Sequence, residues 1–227
     1  MQVLYEDNHV IIVSKAAGEI VQGDKTGDEP LTERVKAYIK EQYAKPSAVF
    51  LGVTHRLDRP VSGVVVFART SKGLARMNEL FRQGHVDKTY LAIVANRPPQ
   101  DAGELRHWLV RNEKQNKSYA YDHPVPDSKE ARLRYRLVGQ SDRYFLLAVE
   151  LLTGRHHQIR SQLAHIGCPI RGDLKYGAPR SNPDASISLH AWRIAFEHPV
   201  SHRPIQAEAP LPQDVLWQVL ANGLQAE

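Results

Sequence analysis

Asp58 stands between Arg56 and Arg59 in the stretch Thr54-His-Arg-Leu-Asp-Arg-Pro-Val-Ser-Gly63, directly ahead of the apolar run Val64-Val65-Val66-Phe67. A carboxylate flanked by two guanidinium groups stays ionised at neutral pH. An ionised, positioned aspartate serves as a nucleophile or a base. The same residues also describe a turn in which Asp58 caps backbone amides and the arginines are solvated. A second group of chemically capable residues is Gly154-Arg155-His156-His157-Gln158-Ile159-Arg160, a glycine-bearing turn leading into a short helix that Gly167 ends. Arg160, Leu163 and Ala164 fall on neighbouring faces of that helix, so Arg160 can reach inward from a packed turn.

Rigid elements must hold both groups. Val64 to Phe67 reads as a strand buried on both faces. Pro60 restricts Arg59 to an extended conformation, and Ser62-Gly63 reads as a flexible turn into the strand. Upstream, Val3-Leu4-Tyr5 and Val10 to Val13 read as two strands joined by a tight turn. Leu31, Val35, Tyr38 and Ile39 behind Pro30 give an amphipathic helix. Ser71 is placed to cap a helix carrying Leu74, Met77, Leu80 and Phe81, with Gly84 as its terminator. Lys88 to Val94 is a further buried strand with Tyr90 near its start. Residues 103–126 read as a hairpin with a long, mobile tip, rich in basic and aromatic side chains. Ala131 to Leu137 alternates strictly, setting Arg132, Arg134 and Arg136 on one face as a row of positive charge. Tyr144 to Leu152 is one more strand. A terminal helix over Leu211 to Leu224 turns Val215, Leu216, Val219 and Leu220 inward.

The string around Asp58 resembles the His-Arg-Leu-Asp-x-x-(Thr)-Ser-Gly signature of the RluA-type RNA pseudouridine synthases, with Val61 where that family has Thr. Lys15-Ala-Ala-Gly18 is similar to its Lys-Pro-x-Gly segment, Lys88-Thr-Tyr90 to its Lys-x-Tyr, and 154–160 to its Gly-Arg-x-His-Gln-Ile-Arg. Cys168 to Gly177, Ser188 to Ala191 and Phe196 to Pro199 follow in family order. The resemblance implies isomerisation of uridine to pseudouridine in tRNA or rRNA without metal or cofactor. It makes Asp58 the nucleophile or base, Arg160 its partner, and Tyr90 the residue lying on the uracil. It sets Arg56 in the space left by the flipped uridine. Arg59, Lys88, Arg155, Arg132 and Arg134 become RNA contacts. The implied architecture is one α+β domain over 1–227, a mixed, mostly antiparallel sheet with helices on one side and a basic cleft across the other.

The chain has 227 residues, 42% hydrophobic and 24% charged, with a net charge of +5. That is the composition of one globular domain with a leaning toward a polyanionic partner. Neither an apolar run of membrane-spanning length nor a signal peptide stands out, and Cys168 is the single cysteine. We therefore expect a cytoplasmic monomer without disulfides. His156, His157 and His165 with Asp173 match no zinc spacing. No phosphate-binding glycine loop and no Gly-x-Ser-x-Gly occurs. Two functions remain, an RNA-modifying enzyme and a basic RNA-binding protein that keeps the fold without the chemistry. The presence of Asp58, Tyr90 and Arg160 together favours the enzyme.

Overall fold

A computed structural model describes residues 1–222 and 224. The predicted end of the terminal helix crosses Gly223, and the predicted domain extends over 225–227; these positions lie outside the described residues. The chain divides into two compact units, Met1–Asp87 with Ala191–Pro210, and Lys88–His190 with Leu211–Glu227.

In the first unit, β1 (Gln2–Glu6) and β2 (Val10–Lys15) form the expected antiparallel hairpin. Asp7 closes its turn by accepting the N–H groups of His9 and Val10 at 2.7 and 2.9 Å. Strand β2 pairs antiparallel with β4 (Ser62–Ala68), and the short β3 (Gly52–Val53) joins the end of β4. Strands β10 (Leu189–Glu197) and β11 (Pro204–Glu208) complete this half. Val64 to Ala68 are all buried, as the unbroken apolar run requires. Val10, Ile12, Val64, Val66, Ile194, Phe196 and Ile205 form the core on one face, which Met77 of α2 (Ser71–Gln83) joins. Helix α1 (Leu31–Gln42) starts behind Pro30 without a side-chain cap. Its first N–H groups donate instead to the carbonyls of Ile20 and Val21 at 2.8 and 3.2 Å. Helix α2 ends at left-handed Gly84 as expected, but its cap is Thr70, whose hydroxyl accepts from Gly73 N. Ser71 is already the first helical residue, because Thr70 has the extended backbone that a cap needs.

The expectation of a flexible turn at Ser62-Gly63 also changes. Both residues lie inside β4, with Gly63 opposite Lys15. Gly63 has φ 122°, and a Cβ there would collide with the carbonyl oxygen of Ala191. The glycine permits a close approach of two backbones.

In the second unit, strands β5 (Val86–Val94), β9 (Phe145–Leu151), β8 (Lys129–Gln140), β6 (Ala102–Asn112) and β7 (Lys117–Tyr121) lie side by side in that order, every ladder antiparallel. Helix α3 (Gln158–His165) packs on the hairpin of β6 and β7, and a 3-10 turn spans Leu174–Tyr176. The hairpin tip is only four residues long, 113–116. It is pinned, because the Lys175 ammonium donates to the carbonyls of Gln115 and Asn116 at 3.1 Å. Helix α4 (Val215–Ala221) is shorter than the expected 211–224, and it turns Trp217, Leu220 and Ala221 inward. Val215 and Val219 are 73% and 54% exposed, contrary to expectation. The indole of Trp217 occupies the inner face that the periodicity had given to the valines.

Candidate active site

Asp58 is half-buried in the loop between β3 and β4. Three sets of bonds within the first unit shape that loop. Beyond the end of β3 the chain continues to address β4 through side chains: Thr54 Oγ1 donates to Val66 O at 2.6 Å, and His55 Nε2 accepts Val66 N–H at 3.0 Å. His55 therefore carries a lone pair on Nε2. Next, a turn closes where Val61 N–H donates to Asp58 O at 3.0 Å. The third set comes from the end of β2. Gly18 N–H donates to Arg59 O at 2.8 Å, and the Lys15 ammonium donates to the carbonyls of Ala16, Arg59 and Val61 at 3.0, 3.1 and 2.6 Å.

Lys15 is 1% exposed. Burial pulls its ammonium down to about 7 from the ordinary 10.5, while the Asp58 carboxylate acts in the opposite direction. A lysine whose ammonium protons all meet backbone carbonyls is a fixed pivot under the Asp58 loop. The sequence reading gave it no role. Its signals were a charged residue just beyond the apolar run Val10 to Val13 and its place in the Lys-Ala-Ala-Gly segment.

The arginines beside Asp58 differ in their commitments. Arg56 is exposed. The Arg59 guanidinium is drawn to the 24–28 loop, 2.6 Å from Asp28 Oδ2 and 3.5 Å from Asp24 Oδ2, and it also donates to Thr26 Oγ1.

In the second unit, Tyr90 is half-buried on β5, opposite Val149. Lys88 lies two residues earlier, and burial lowers its pKa. Arg160 is 5% exposed on α3 and is gripped side-on by the buried Asp173: Nε to Oδ2 at 2.7 Å and Nη2 to Oδ1 at 2.9 Å. Asp173, weighed from sequence as a metal ligand, is thus the second-unit anchor of this guanidinium. Arg155 is exposed, with Nε donating to Glu130 O at 3.0 Å.

Arg132 and Arg134 do share one face of β8, as the alternation predicts. Glu104 on β6 accepts from both, and Glu150 on β9 lies 3.7 Å from Arg134. Acidic residues on the neighbouring strands match this row of positive charge, which strand alternation alone does not reveal.

The histidines are engaged in hydrogen bonds. His156 Nδ1 meets Ser118 Oγ at 2.8 Å, and its Nε2 meets Asn116 Oδ1 at 3.0 Å. His157 contacts Arg160 and Tyr176. His107, Asp122 and His165 bring ligand atoms within 4.8 Å of one another. However, the Gln162 amide nitrogen sits 3.0 Å from His107 Nδ1 while also donating to Ala131 O. That donor requires a lone pair on Nδ1 and so places the ring proton on Nε2, facing Asp122. Asp122 already pairs with His165 Nε2 at 2.8 Å. The trio is a carboxylate between two imidazole donors, and in this tautomer His107 has no lone pair to give a metal.

Residues 9–165 match the model of the family described as RNA pseudouridylate synthase, a span that contains Lys15, Asp58, Tyr90 and Arg160. The chain is 34% identical to the ribosomal large subunit pseudouridine synthase D of Xanthomonas campestris pv. campestris, over 100% of this chain and 70% of that protein. It is 39% identical to an uncharacterized RNA pseudouridine synthase of Chloroflexus aurantiacus, over 77% of this chain and 54% of the relative. Among solved structures, human RNA pseudouridylate synthase domain containing 4 superposes with a TM-score of 0.80 at 22% identity, covering 99% of this chain and 93% of that one, a likeness of fold. With four helices and antiparallel ladders among its described residues and a family match over most of its length, the chain belongs to the RNA pseudouridylate synthases, which are isomerases.

Proposed function

We propose that this protein isomerises uridine to pseudouridine in ribosomal RNA, with Asp58 as the nucleophile or base. The observation that carries the reading is the construction of the Asp58 loop. A buried lysine, a glycine N–H and two side chains bonded to β4 order the loop that carries a half-buried carboxylate, more order than a solvated turn needs. The chemistry breaks the N-glycosidic bond, turns the uracil within the pocket and joins its C5 to the sugar. Arg160 serves as partner to the Asp58 carboxylate and aims it. Tyr90 stacks on the uracil and helps remove the C5 proton, and Arg56 fills the space of the flipped nucleotide. Arg59, Lys88, Arg155, Arg132 and Arg134 contribute backbone contacts. Relatives named for the large ribosomal subunit support rRNA over tRNA as substrate. On this reading the two units form one catalytic domain, and the protein works as a monomer in the cytoplasm.

The test is to map pseudouridine in rRNA from cells with and without the gene, complemented by wild type or by Asp58→Asn. At least one rRNA position should lose its modification without the gene and recover it only with wild type. Purified Asp58→Asn should bind RNA as wild type does and react about three orders of magnitude more slowly or worse. A variant that converts uridine at the wild-type rate removes Asp58 from the mechanism. Unaltered modification in both tRNA and rRNA would favour the non-catalytic RNA-binding protein.

A further inference from the structure

Two groups of opposite kind hold Arg160 within its unit. Asp173 is charged and takes one edge of the guanidinium. The other is His157, whose Nε2 lies 3.0 Å from Nη1. A guanidinium nitrogen only donates, so Nε2 must present its lone pair and the ring proton must sit on Nδ1. Nδ1 faces the Tyr176 hydroxyl at 2.8 Å, and that oxygen also accepts the backbone N–H of Ser118 at 2.8 Å. The imidazole is thereby fixed at both nitrogens. It is buried, and His156 stacks on it with ring centroids 3.8 Å apart.

Its backbone is unusual as well. His157 caps α3 with φ 52°, in the left-handed region, which costs a non-glycine residue about 1 kcal/mol or more. A glycine or asparagine would relieve that strain, and only a side chain with work to do justifies keeping it.

Asp173 alone leaves the guanidinium able to pivot about one carboxylate. A third bond, at the other terminal nitrogen, stops the pivot. An aspartate or glutamate at position 157 would do so too, but its negative charge would compete with any further carboxylate that Arg160 serves. A neutral acceptor holds the N–H and leaves the positive charge in place.

We propose that His157 is the positioning residue of Arg160, a neutral imidazole that fixes the guanidinium without cancelling its charge, with Tyr176 receiving the proton on its other nitrogen. The proposal rests on the reading above, in which Arg160 serves Asp58.

Three variants and one spectrum test it. His157→Phe keeps a ring and removes the acceptor; His157→Gln returns an acceptor near the place of Nε2; Arg160→Met removes the group being positioned. Each is assayed by single-turnover conversion of rRNA at saturating enzyme, beside its RNA affinity and thermal midpoint. His157→Phe should slow conversion about 10–100-fold, as loss of an orienting partner does, with RNA affinity unchanged, and His157→Gln should recover most of the rate. Wild-type rate in His157→Phe, or equal loss in both His157 variants, overturns the proposal. Full rate in Arg160→Met would instead overturn the underlying assignment of Arg160, whereas its collapse beside a full-rate His157→Phe overturns the positioning role alone. Should the variants fold poorly, the nitrogen-15 spectrum of the wild-type imidazoles decides: an Nδ1–H tautomer at His157 is expected, and a proton on Nε2 refutes the geometry.

Discussion

Lys15 does at the scale of a single side chain what the surrounding loop cannot do for itself. The buried carbonyl of Val61 needs a donor, and the chain around Asp58 is too irregular to supply one from a ladder; Lys15 provides it and adds a second donor to Arg59 O, which Gly18 N–H already reaches. Replacing the lysine by methionine would preserve most of its volume and take the ammonium from Val61 O, at about 1–3 kcal/mol for a buried group left unsatisfied, while Arg59 O keeps Gly18 N–H. We expect Lys15→Met to lower the unfolding free energy by about 1–3 kcal/mol in urea titrations above pH 7. Conversion by Asp58 should fall more than RNA affinity does. The pH dependence has a definite sign. The folded protein releases the Lys15 proton near pH 7 and the unfolded chain near 10.5, so between those values the unfolded chain binds more protons. The contribution of Lys15 to stability therefore rises with pH across that window and is lost as pH falls back toward 7. Unfolding measured at intervals from pH 7 to 10 should show a rising component in wild type that is missing in Lys15→Met; parallel curves would refute the assignment.

Among the elements, α2 shows how a one-residue difference at a helix start is decided. Thr70 and Ser71 are both capping residues by type, and the apolar period of Leu74, Met77 and Phe81 suits either start. Thr70 has φ −139° and ψ 154°, and its hydroxyl accepts Gly73 N–H at 3.0 Å. Arg69 N–H, just before it, is already bonded to His9 O at 2.8 Å, so the sheet fixes where the chain leaves β4 and hence which hydroxyl reaches the helix. Thr70→Ala should cost about 1 kcal/mol, whereas Ser71→Ala should stay within about 0.5 kcal/mol of wild type, as exposed substitutions do. Denaturant midpoints of the two variants check this, and the reverse order would restore Ser71 as the cap. Helix α4 makes a similar point. Its sequence carries apolar residues on more than one face, and the surface that the sheet offers selects Trp217 and Leu220 over Val215 and Val219.

Across the whole molecule, the net charge of +5 is a sum that hides its distribution. Arg132 and Arg134 are matched by Glu104 and Glu150, and Arg59 by Asp24 and Asp28. Arg56 is exposed and makes no ion pair among the described residues. Arg56→Gln should therefore lower the slope of log affinity against log salt by about one unit for RNA, and the Arg132→Gln, Arg134→Gln double variant should change it by much less than two. Equal slopes per arginine removed would show that the acidic partners yield to phosphate. The amino-acid sequence by itself determined the longer strands, the helices apart from some of their ends, and the motif order, because hydrophobic period, glycine position and turn chemistry are local and these elements are long enough to display them; β3, two residues long, is not. It also marked Asp58, Tyr90 and Arg160, through strings whose residue types are legible without a partner in view. Only the tertiary structure decided that Lys15 lies beneath the Asp58 loop, that Asp173 and His157 hold Arg160, that Gly63 admits the backbone of Ala191, and that glutamates match Arg132 and Arg134 of β8. Each of these is a contact between residues distant in sequence or on neighbouring strands, and its energy exists only once the backbone has brought the two groups within bonding distance.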